Sequence, residues 1–89
     1  MAIMIVTYDL RKSDHNYQPL YDYLKTFTHC WHIESVWMLD TALSAADIRD
    51  GMMRHTHAND RIFVGRLSGN RASCNYGCAD WLNDPTRIW

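Results

Sequence analysis

Four consecutive apolar residues, Ile3, Met4, Ile5 and Val6, stand near the start of the chain. Successive side chains of a strand point to opposite faces, so an unbroken apolar run needs cover on both. The stretch Ala2 to Tyr8 therefore reads as a central strand of a sheet with material on each side. It runs through Thr7 and Tyr8 to a carboxylate, Asp9, and two cations, Arg11 and Lys12, follow almost at once. A strand that ends this way is either entering a turn or presenting a metal or phosphate site.

The length, 89 residues, argues for one domain over 1–89. A chain this small buries only about 60% of its unfolded surface, so its core is marginal alone. Its hydrophobic fraction, 47%, rules out a disordered chain. Four Trp and five Tyr are many for this length, and part of that surface is expected in a subunit interface. Nine Lys and Arg face ten Asp and Glu, a formal charge of −1. That excludes a polycation, so nucleic-acid contact would need a local basic cluster. Three cysteines, an odd count, and an apolar start without a basic leader point to a reducing, cytoplasmic setting. No stretch is long enough for a membrane span.

Further elements follow from periodicity. Tyr17, Leu20, Tyr21, Leu24 and Phe27 share one helical face, which predicts a helix over Tyr17 to Thr28. Asn16 is its expected N-cap, and Pro19 fits the first turn. His32 to Leu39 reads as a second strand. Ser44 to His55 reads as a second helix, with Ser44 and Asp47 forming a capping box. Arg61 to Leu67 reads as a third strand, and Ala72, Cys74 and Tyr76 alternate as a short fourth would. Ala79 to Asn83 reads as a helical turn, stopped by Asp84-Pro85. Ile88 and Trp89 close the chain and are expected to dock on something. The order suits an α+β, ferredoxin-like sandwich, an antiparallel sheet with helices on one face, if one connection is a hairpin. A small flavodoxin-like unit fits the pattern as well.

The stretches MIVTYDL, NYQPLYDYLK, HIESVWML, LSAADIRDGM and NDRIFVGRLSG, in that order, resemble the CRISPR-associated Cas-two family. The likeness is to its stand-alone, SinR-labelled relatives and more distantly to the VapD toxin ribonucleases. It covers about Met1 to Gly69. It implies a ferredoxin-like homodimer in which two strand-end aspartates, here Asp9, face each other. In some members that pair holds a divalent metal, Mg or Mn, and cuts RNA or DNA; others are structural partners. The implied activity is a metal-dependent endoribonuclease, with a non-catalytic module that binds nucleic acid or nucleotide, or assembles with other proteins, as the alternative. The segment from Ser68 to Trp89 departs from the family's tail and is a candidate protein-docking extension. The slight acidity departs from a DNA-bridging member.

Asp9 alone cannot complete the oxygen shell of a divalent cation, but a second Asp9 across a two-fold axis could. Otherwise it caps a turn. Arg11 and Lys12 suit phosphate oxygens, and Arg66 and Arg71, with Arg61, lie on or just after the third strand as further phosphate contacts; otherwise each is ordinary surface charge. His15 is the best-placed general acid or base, unless it is merely exposed. The cysteines and histidines lack the spacing of a zinc motif. Tyr8 and the C-terminal tryptophans are candidate stacking platforms, against dimer packing.

Overall fold

The computed structural model describes residues 1–89. In chain order it contains β1 (Ala2–Asp9), α1 (Gln18–Lys25), β2 (Thr28–Ile33), β3 (Val36–Thr41), α2 (Ala45–Met53), β4 (Arg61–Arg66) and α3 (Ala79–Leu82). The strands form a single antiparallel four-stranded sheet in the order β2-β3-β1-β4. The class is α+β. No helix is long and apolar enough to cross a membrane.

The apolar run of β1 is covered on both faces. Met4, Val6 and Tyr8, with Trp37 and Leu39 of β3, pack against Leu20 and Leu24 of α1 and Ile48 and Met52 of α2. Each such buried side chain contributes about 1.5–3 kcal/mol of transfer free energy. On the opposite, outer face Ile3 and Met38 meet Leu82, with Ile5, Val36, Leu67, Tyr76 and Trp81 around them. The cover there is the segment after β4, including α3, so only α1 and α2 share one face. Ser44 caps α2, its Oγ accepting from the Asp47 N–H at 3.1 Å.

The stretch His32 to Leu39 is a hairpin rather than one strand. Thr28 already belongs to β2, and α1 ends at Lys25. Glu34 and Ser35 make the turn, and the Glu34 carbonyl accepts from the Tyr8 hydroxyl at 2.6 Å and the Trp31 Nε1 at 2.8 Å. Trp31 lies opposite Trp37, the rings stacked with centroids 4.0 Å apart. Burial pushes the Tyr8 hydroxyl up to about 12, and it accepts from the Trp37 Nε1 at 3.0 Å, so Tyr8 is a buried brace and not a stacking platform.

No strand forms at Ala72 to Tyr76; Asn75 takes a left-handed φ of 53° there. Ile88 stays exposed and Trp89 docks on the Arg71 guanidinium, while Trp81 and Leu82 pack against the sheet. Cys30 and Cys78 form a disulfide, leaving Cys74 free and exposed. The odd cysteine count is a bonded pair plus one thiol, not three thiols.

Candidate functional site

β1 and β4 run antiparallel, with Thr7 opposite Phe63 and Asp9 opposite Arg61. Opposed residues share a face. Tyr8, Ile62 and Val64 turn toward the helices, so Thr7, Asp9, Arg61 and Phe63 turn to the outer face. The cover on that face reaches the other end of β1, at Ile3. The Asp9 end is left open, and Phe63 is 62% exposed.

The Asp9 Oδ2 accepts from the Arg11 Nη1 at 3.0 Å and lies 3.8 Å from the Arg61 Nη1. All three side chains are half-exposed or more, so the pairs add roughly 0–1 kcal/mol each to stability. Their effect is to aim two guanidiniums at one spot. Lys12, beside them, pairs with Asp14 at 3.2 Å. Arg11, Lys12 and Arg61 stand among four carboxylates, Asp9, Asp14, Glu34 and Asp60, so the spot offers exposed guanidinium donors rather than a net positive charge. A groove of about 300 Å³, lined by Tyr8, Asp9, Leu10, Glu34 and Ser35, adjoins the cluster.

The loop that carries Arg11 and Lys12 is fixed by Asp60. Its carboxylate accepts from the Arg11 N–H and the His57 N–H, both at 2.7 Å, and from the Tyr17 hydroxyl at 2.7 and 2.8 Å. Partial burial pushes the Asp60 carboxyl upward, but these donors outweigh it and hold it below its usual range. A carboxyl lowered by folding stabilises the fold above the unfolded value, near pH 4. That contribution is lost as the pH falls through the folded value. Asp60→Ala is therefore expected to cost about 1–2 kcal/mol at pH 7, and less as the pH drops below about 4. Denaturant melts of both proteins across pH 3–7 check this; a cost that stays constant with pH would contradict it.

The other sequence-predicted residues lie elsewhere. Arg66 sits opposite Met4, at the far end of β4 from Arg61. Strand rise separates it from Asp9 by about 17 Å. Arg71 is committed to the C-terminal segment: its guanidinium donates to the Leu82 carbonyl at 2.9 Å and the Asn83 Oδ1 at 2.8 Å, and stacks on Trp89 at 3.7 Å. The ring of His15 packs on Tyr17, and its Nε2 meets the His55 carbonyl at 3.2 Å. Phe63 and Asp60 were not singled out from the sequence. Phe63 was legible in the alternation of RIFVGR, where Ile62 and Val64 take the inner face.

A divalent cation wants about six oxygen ligands in a regular array. Within one protomer Asp9 offers one carboxylate, faced by two guanidiniums, and no group of three or more His, Cys, Asp or Glu converges anywhere. The residues of a single protomer do not fit such a metal. Cys30 and Cys78, joined to each other, offer no thiolate to zinc. No known family model matches the chain, and no solved structure matches it.

Proposed function

We propose that this chain is a ferredoxin-like, Cas-two-like module that works as a homodimer and binds single-stranded nucleic acid, RNA foremost, across the open half of its outer sheet face. The strand order β2-β3-β1-β4 with α1 and α2 on one face supports the ferredoxin-like assignment. The resemblance of the sequence supports the pairing of two copies around a cleft at the Asp9 end. The observation that carries the binding role is an exposed aromatic, Phe63, one ladder step from Arg61 and Asp9 on an uncovered face. Every base offers a π-face to such a ring, and a guanidinium fork suits phosphate oxygens. With a net charge of −1, attraction depends on this cluster and not on a global field.

Fluorescence anisotropy with a short labelled RNA, in EDTA, tests it. Phosphate contacts by Arg11, Lys12 and Arg61 predict a log–log salt slope of about −2 per protomer, since each single-strand contact contributes about −0.7. The double variant Arg11→Ala, Arg61→Ala is expected to flatten that slope by about 1.4. Salt-independent binding, or none, overturns the reading.

A second reading, a metal-dependent endoribonuclease, is favoured by the exposure of Asp9 on the open face. There the Asp9 of a second copy could supply the carboxylate one protomer lacks. On this reading Asp9→Asn abolishes cleavage of RNA in Mn²⁺ buffer; cleavage that survives the substitution removes it.

A further inference from the structure

We propose that the Cys30–Cys78 disulfide is a redox latch holding the segment 68–89 as a detachable cover on the outer sheet face. This goes beyond nucleic-acid binding and does not rest on it. Every backbone–backbone hydrogen bond of the cover stays inside it, from Ala79 to Tyr76, Leu82 to Cys78, Asn83 to Ala79, Asp84 to Trp81 and Arg87 to Asp84. No backbone–backbone bond ties it to the sheet, so it has the makings of a separate opening unit.

Most of its side-chain bonds are internal too. Arg71 holds Gly69, Leu82 and Asn83, and the Arg87 guanidinium stacks on Trp81 at 3.8 Å. Contact with the body comes down to few points. Leu82, Tyr76 and Trp81 pack near Ile3 and Met38. Arg87 pairs with Asp40 at 3.0 Å, and the Gly77 N–H donates to the His32 Nδ1 at 2.7 Å. Apart from the chain itself at Leu67-Ser68, the disulfide is the one covalent tie, across a separation of 48 residues. It supplies the high local concentration that keeps these few contacts made.

Reduction is a two-electron step, here by a dithiol. One thiolate of the reductant attacks the sulfur of Cys30, the less buried partner, and Cys78 leaves as a thiolate and takes a proton. The second thiolate then displaces Cys30 from the mixed disulfide. The products are two protein thiols and the oxidised reductant. The freed cover exposes Ile3 and Met38, continuous with the face that bears Phe63.

Hydrogen exchange on the full chain, oxidised and after dithiothreitol, tests the latch. The background is Cys74→Ser, so that no spare thiol reshuffles the bond. Reduction is expected to speed exchange at the Leu82 and Asn83 amides by about tenfold or more, while the Val6 and Leu39 amides stay protected. Cys78→Ser without reductant is expected to match the reduced protein. Unchanged protection at Leu82 and Asn83 overturns the proposal, because the cover then docks without the bond. Joint loss of protection in cover and sheet overturns it too, because the bond then staples the whole domain.

Discussion

Trp37→Ala is expected to unfold most of the protein near its present melting temperature and to lower that temperature by about 15–30 °C. Trp37 is fully buried on β3, the largest such side chain in the chain. It sits against Leu20, Leu24, Ile48 and Met52, carries the stacked Trp31, and donates to the Tyr8 hydroxyl. Truncating a buried tryptophan costs about 3–5 kcal/mol in transfer and cavity terms. Native domains hold about 5–15 kcal/mol in all, and a domain of this size sits toward the lower end. Trp37→Phe keeps part of the volume and is expected to lose about half as much. Thermal melts followed by circular dichroism read both; a loss under about 1 kcal/mol for Trp37→Ala would place the residue outside the core.

Phe63→Ala is expected to behave in the opposite way, sparing the fold and weakening RNA. The side chain is mostly in solvent, so its loss leaves stability within about 0.5 kcal/mol. A base stacked on an aromatic ring contributes about 1–3 kcal/mol, which predicts a fall in affinity of about 5- to 150-fold. Phe63→Tyr keeps the ring and is expected to keep the affinity. Equal affinities for wild type and Phe63→Ala, with a dimer that falls apart, would make Phe63 a subunit contact instead.

The elements with a clean period were legible in the sequence. The apolar run at Ile3 to Val6 called for cover on two faces and has it, and the stripes of α1 and α2 lie on the core. The hairpin was hidden because Glu34-Ser35 carries none of the Gly, Asn or Pro chemistry that marks tight turns. A distant group, the Tyr8 hydroxyl, holds that turn through the Glu34 carbonyl together with the Trp31 indole of the same hairpin. The cover was hidden for a similar reason: its cysteine partner lies 48 residues away and its short helix has no stripe to show.

The candidate site was legible in part. Asp9 and Arg11 are close in the chain and close in space. Arg61 joins them because β4 runs antiparallel to β1, and the same direction carries Arg66 away. Asp60 closes a turn, His57 to Asp60, whose sequence carries the His57 donor but says nothing of the two distant groups, the Arg11 N–H and the Tyr17 hydroxyl, that also donate to it.

The most direct measurement is amide chemical-shift mapping of the isotopically labelled chain as a short single-stranded RNA is added in EDTA. The amides of Thr7, Asp9, Arg11, Arg61 and Phe63 are expected to move together and saturate together, while those of α1 and α2 stay still. Saturable shifts confined to the helical face, or no shifts at all, would contradict this.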